Sequence, residues 1–84
     1  MNYPETYHIE KLVEIYAECR GIGTSRVASL IWNDGKFFSR VRAGGNFTVK
    51  SYHRGLRWFA DNWPPQTPWP EGVPRPEPTQ REVA

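Results

Sequence analysis

One cysteine and two histidines among 84 residues leave little material for disulfide or metal chemistry. Cys19 has no partner for an intramolecular bridge, and no Cys/His cluster has the spacing that holds zinc. Cys19 reads instead as a small buried hydrophobe near a helix end. Long apolar runs are also missing. Nothing approaches the roughly 20 residues that span a bilayer, and no secretory leader is read at the front, so the expectation is a soluble cytoplasmic protein. Catalytic constellations are scarce as well: His8 and His53 stand at unrelated positions, no serine or cysteine is visibly paired with a base, and most carboxylates share one helix face. A protein that is not an enzyme, with no cofactor, metal or evident small-molecule ligand, is expected.

Acids are rare in the middle of the chain. From Gly21 to Ala60 the basic residues are Arg26, Lys36, Arg40, Arg42, Lys50, Arg54 and Arg57, and the one acid is Asp34. Before that segment stand Glu5, Glu10, Glu14 and Glu18 against Lys11 and Arg20. The modest net charge of +2 therefore conceals a sorted distribution. A basic central segment suits a polyanionic partner, and its bland alternative is a solvated face with no partner.

What is present is helical periodicity. Met1 to Tyr7 reads as a lead-in, followed by a helix over Tyr7 to Arg20, with Ile9, Leu12, Val13 and Tyr16 on one face and Glu10, Glu14 and Glu18 on another. Arg20-Gly21 has the chemistry of a helix end. A second helix is expected from Thr24, as its cap, to Leu30 or Ile31, burying Val27, Ala28 and Ile31. Asn33-Asp34-Gly35 has turn chemistry, and Asp34 is expected to cap a third helix reaching Gly44, with Phe38 and Val41 inward. Gly44-Gly45-Asn46 is a loop. Thr48 caps a fourth helix, which turns Val49, Tyr52, Leu56, Phe59 or Ala60, and Trp63 inward, and whose Gly55 implies close approach of another backbone. Two short helices joined by a tight turn form the unit that places its second helix in a DNA major groove.

Composition changes at Pro64. Seven of the 21 residues from there to Ala84 are proline, which excludes regular helix or sheet and favours an extended chain or disorder. The organisation expected is a compact all-α, four-helix helix-turn-helix domain over residues 1–63, followed by a Pro-rich tail over 64–84. Trp69 in that tail docks on the domain, on a second subunit or on a partner, or else stays in water. Trp63 and Trp69 are the first guess for a dimer surface, because they supply apolar area just outside the domain.

Ala28, followed at a fixed distance by Phe38-Ser39-Arg40-Val41-Arg42-Ala43-Gly44, resembles without a gap the helix-turn-helix of the Cro and lambda-repressor kind, the XRE family. The resemblance covers Tyr7 to Trp63. In that pattern a small residue sits in the second helix, an aliphatic residue followed by serine in the recognition helix, and a glycine ends that helix. Two positions depart from it. Trp32 stands where the family usually has the turn glycine, which moves the left-handed residue to Asn33. Arg42 replaces a frequent glutamate, so that glutamate's usual ion pair within the domain is not expected and Arg42 is free to face phosphate.

The resemblance implies that the first turn of the third helix enters the major groove. The family's base-contacting positions fall on Gly35, Lys36 and Arg40, beside Phe37. Lys36 and Arg40 can both reach guanine O6 and N7; Ser39 can donate to phosphate or a base edge. Phe37 either meets a thymine methyl or belongs to the core with Phe38. Thr24 matches the position of a phosphate-bound glutamine, and Arg26, Arg42, Asn46, Thr48 and Lys50 are further phosphate candidates. The function so implied is a sequence-specific regulator of transcription. It is a repressor that binds double-stranded operator DNA as a homodimer on inverted half-sites, of a type common in phage and mobile elements. The rival reading is a small protein-interaction module, such as an antitoxin, a phage inhibitor or an adaptor, that reuses the helical fold. Nonspecific nucleic-acid binding is a third.

Overall fold

Left-handed backbone at Gly21, Asn33 and Gly44 stops three helices in turn, with φ of 69°, 56° and 95°. The computed structural model describes residues 4–77; the first part of the expected lead-in, residues 1–3, and the end of the Pro-rich tail, residues 78–84, lie outside them. Its elements are α1 (Pro4–Arg20), α2 (Thr24–Trp32), α3 (Phe37–Arg42) and α4 (Val49–Asn62), with no strand among the described residues. The first helix begins three residues before the expected start. Proline is tolerated at the first helical position because the N–H it lacks has no partner there. Gly21 then closes α1: Gly21 N–H bonds to Glu18 O, and Ile22 N–H reaches back to Ala17 O at 3.0 Å. Glycine is what makes this closing geometry cheap.

The turn between α2 and α3 depends on Asn33, the one non-glycine residue with positive φ among those described. Asparagine tolerates this region better than most residues, and its N–H bonds to Ser29 O at 3.0 Å, closing α2 one residue after Trp32. Thr24 does not cap α2. Gly23 occupies the cap position and Thr24 lies inside the first turn, so no side chain caps this helix. Asp34 likewise precedes the cap of α3, which is Lys36; the Asp34 carboxylate instead accepts the Lys36 N–H at 3.0 Å. The third helix ends at Arg42, two residues short of expectation. There Gly44 N–H bonds to Val41 O and Gly45 N–H to Arg40 O, the crossed pair of a glycine-terminated helix. Thr48 does cap α4: its Oγ1 accepts the Ser51 N–H at 3.0 Å.

One core is shared by all four helices. From α1 come Ile9, Leu12, Val13, Tyr16 and Ala17; from α2 Val27, Ala28 and Ile31; from α3 Phe37, Phe38 and Val41; from α4 Leu56, Phe59 and Ala60. The helical spacing of these residues is the direct cause of their shared burial. Val49 is a correction. The spacing turns it inward, yet it is 72% exposed. Cys19 is a second correction, since it is exposed, with its Sγ 3.3 Å from Thr67 Oγ1.

Aromatic rings cluster at both ends of α4. Near its start, Trp32 stacks on Phe37 at 4.1 Å and 19°, and Phe47 lies parallel to Tyr52. Trp32 also donates its indole N–H to Ser51 O at 2.9 Å, and the Arg54 Nε donates to Ile31 O at 2.9 Å, tying α4 to the end of α2. At the other end Tyr16, Trp58, Phe59 and Trp63 meet mostly edge to face. On this second cluster lies the segment that follows α4. Trp69 packs on Trp63 at 5.0 Å, and the two indoles donate to Val73 O and Thr67 O, both at 2.8 Å. Val73 is buried, and Arg75 lies over Trp69 at 4.7 Å while donating to Ala60 O. Trp63 and Trp69 therefore offer little spare area for a dimer, because Trp63 is itself 9% exposed and Trp69 covers it.

Candidate nucleic-acid interface

The site begins with a six-residue helix held from below. Both phenylalanines at the start of α3 are buried: Phe38 against the shared core, and Phe37 under Trp32, at 6% exposure. Of the two readings open for Phe37, the structure shows the core one, with its ring face against Trp32 rather than free for a thymine methyl. With both rings turned inward, Lys36, Ser39, Arg40 and Arg42 are left outside. Gly35 sits close to α2. A Cβ there would come within 3.3 Å of Ser29 Oγ, so the turn leaves little room for a side chain.

Arg40 is the best-defined cation on this surface. Its Nη2 donates to Asp34 Oδ2 at 2.8 Å, and its guanidinium carbon lies 6.0 Å from the centre of the Phe37 ring. The Asp34 carboxyl is held below its ordinary value, first by the Arg40 hydrogen bond and then by the Lys36 N–H. Arg40 and Arg54 line one depression of about 330 Å³ between α3 and the start of α4, together with Asn46, Thr48 and Ser51. Asp34 is the only acid on its wall.

The N-terminus of α4 borders the same depression. Its first backbone bond runs from Tyr52 N–H to Thr48 O, and Thr48 Oγ1 takes the Ser51 N–H, so the N–H groups of Val49 and Lys50 lie ahead of the helical ladder. Those two donors and the helix dipole suit an anion. The Thr48 hydroxyl is committed to Ser51 Oγ at 3.1 Å, which leaves the backbone rather than this hydroxyl as the donor here. Lys50 is exposed and, like Lys36 and Arg26, is paired with no acid among the described residues.

Of the sequence candidates, Thr24, Arg26, Lys36, Ser39, Arg42 and Lys50 do not line this depression. Arg42 leans toward α1, with its Nη2 4.0 Å from Glu14 Oε2 and its guanidinium over Phe38 at 5.6 Å. It lines a separate cleft of about 440 Å³ with Glu5, Glu10 and Tyr52, an unfavourable place for phosphate. Arg42, expected to be free to face phosphate, instead has a glutamate of α1 within 4.0 Å. Thr24, half-buried in the first turn of α2, lies outside the depression, as does the exposed Arg26.

Arg54 is absent from the phosphate candidates expected from the sequence, yet it lines the depression. Its position one turn past Lys50 is legible as part of a basic stripe, but its reach to Ile31 O depends on how α4 crosses α2. Asp34 was read as a cap and is instead a partner of Arg40. The separation of six residues matches no helix-face rule, so only the turn geometry reveals the pair. Beside the separate cleft, His8 Nδ1 lies 2.7 Å from the Tyr52 hydroxyl, which burial, and then Glu5, push above its ordinary value. This contact joins α1 to α4. Among the described residues no group of acidic, histidine or cysteine side chains is arranged to hold a metal, and no helix is long and apolar enough to cross a membrane. Compared with known family models, curated proteins and solved structures, the chain matches none.

Proposed function

We propose that this chain is a helix-turn-helix DNA-binding protein that occupies operator DNA as a homodimer and represses transcription in the cytoplasm of a bacterium or a phage-infected cell. The observation that carries the reading is the depression between α3 and the start of α4, lined by Arg40 and Arg54 with Asn46, Thr48 and Ser51, and by one acid that is itself bound to Arg40. What supports it further is the local chain. Two helices are joined by the turn Asn33-Asp34-Gly35-Lys36, and the second keeps its basic residues in water because its phenylalanines are buried. In this reading Lys36, Ser39 and Arg40 address base edges, and Lys50, Arg54, Asn46 and the first N–H groups of α4 hold the backbone.

One domain of this size covers roughly 600 to 1,000 Å² of DNA, and two are needed for strong preference among sequences. Inverted half-sites about one helical turn apart follow from a two-fold dimer. The test is substitution on a bound duplex. Lys36→Ala and Arg40→Ala each weaken specific binding by about 1 to 3 kcal/mol, and the wild-type log K falls against log salt with a slope of roughly −4 to −5 per domain if about five phosphates are neutralised. Unchanged binding by both variants, with the fold intact, favours the protein-interaction module instead.

A further inference from the structure

Arg40 is held more firmly than an exposed arginine on a short helix needs to be. A carboxylate grips its edge at 2.8 Å, and below it lies Phe37, stacked on Trp32, whose indole is bonded to Ser51 O of α4. Asp34 is fixed in its turn: one carboxylate oxygen takes the Lys36 N–H and the other takes Arg40. Exposed ion pairs contribute little to stability, so stability alone does not account for the only acid between Gly21 and Ala60 standing here. A flexible arginine loses side-chain freedom when it binds, whereas one already held has less to lose. Asp34 occupies one of the guanidinium's five N–H donors, and the remainder suffice for the pair that meets guanine O6 and N7.

We infer that Asp34 is a positioning residue for base recognition: it holds the Arg40 fork in the orientation that reads a guanine and so sets sequence preference rather than affinity. The inference rests on the DNA-binding reading above. It carries a sign that a purely structural role lacks. Removing the one acid of a basic face strengthens attraction to phosphates of any sequence, while freeing Arg40 weakens the choice among bases. Nonspecific affinity and discrimination move in opposite directions.

The experiment compares the full-length wild type with Asp34→Asn, Arg40→Lys and the double variant. Each is used to select from duplexes with a random core, then titrated with the wild-type-enriched duplex, its single base-pair variants and mixed-sequence duplex. Asparagine retains an oxygen for the Lys36 N–H and loses the ionic grip. Asp34→Asn is expected to bind mixed-sequence DNA at least about twofold tighter. At one G·C pair it is expected to lose discrimination on the order of tenfold. Arg40→Lys loses the same preference, and Asp34→Asn removes nothing further in that background. Discrimination kept by Asp34→Asn, or lost equally in both backgrounds, overturns this inference alone. A wild-type protein that enriches no sequence overturns the DNA-binding reading and this inference with it. Should Asp34→Asn fail to fold, Asp34→Ser keeps an oxygen for the turn and meets the same criteria.

Discussion

Gly55→Ala sets two known effects against each other at one atom. Alanine in place of glycine inside a helix is worth about 1 kcal/mol of favourable propensity, and on that ground alone α4 becomes more stable. The structure opposes it. A Cβ at Gly55 would stand 2.5 Å from Trp32 Cζ2, 3.2 Å from Cη2 and 3.3 Å from Ile9 Cδ1. Trp32 is poorly placed to yield, because its indole N–H is bonded to Ser51 O and its ring is stacked on Phe37. Overpacking of this kind costs about 1 to 3 kcal/mol, and a retreat of the ring weakens a hydrogen bond and a stack worth roughly 1 kcal/mol each. The net expectation is a loss of about 1 to 2 kcal/mol, read as a fall in Tm of roughly 5 to 15 °C for a domain this small. Circular dichroism melts of Gly55→Ala in the wild-type and Trp32→Phe backgrounds make the test. Phenylalanine lacks the carbons that the new methyl would strike, so in that background the same substitution should be neutral or stabilising. A gain in Tm for Gly55→Ala alone, or the same loss in both backgrounds, would refute the reasoning.

Trp69→Ala should cost about 1 to 3 kcal/mol in urea unfolding, because Trp69 is half-buried, packs on Trp63 and bonds Val73 O; an unchanged midpoint would detach residues 64–77 from the core. Phe37→Ala should be among the most damaging single changes, at about 3 to 5 kcal/mol, whereas Ser39→Ala should leave thermal stability within about 0.5 kcal/mol. Asp34 has a lowered value in the folded state, so its contribution is present above the unfolded value near 3.8 and is lost as pH falls through the folded one. The wild type should therefore lose stability below about pH 4 by a small margin that Asp34→Asn does not share, as urea midpoints across that range will show.

Four helices were legible because periodicity and stop signals agreed: the 3-and-4 spacing of Ile9, Leu12, Val13 and Tyr16 buries a face wherever the neighbours lie. Asn33 was legible for the same local reason, as the residue after Trp32 best able to take the left-handed conformation. Phe37 stood between two readings, base contact and core. Adjacent phenylalanines on a helix point in different directions, and it is Trp32, folded back from the end of α2, together with Phe47 that gives the first of them a place to be buried. Val49 failed in the opposite sense, since its spacing was inward but it is exposed. The packing of Trp69 on Trp63, six residues away, has no periodicity behind it. At the candidate site the division of charge could be counted from the chain. The turning of Arg42 toward Glu14 and of Arg40 toward Asp34 could not, because both depend on which carboxylate the fold brings near.

The central claim is that the surface of α3 and the start of α4 reads double-stranded DNA. The most direct measurement is selection from a pool of random-core duplexes by the full-length protein, with a folded Lys36→Ala/Arg40→Ala variant selected in parallel. The account predicts that the wild type enriches an inverted repeat with half-sites about one helical turn apart and that the variant does not. A wild-type protein that enriches no sequence, or a variant that enriches the same repeat as strongly, would contradict it.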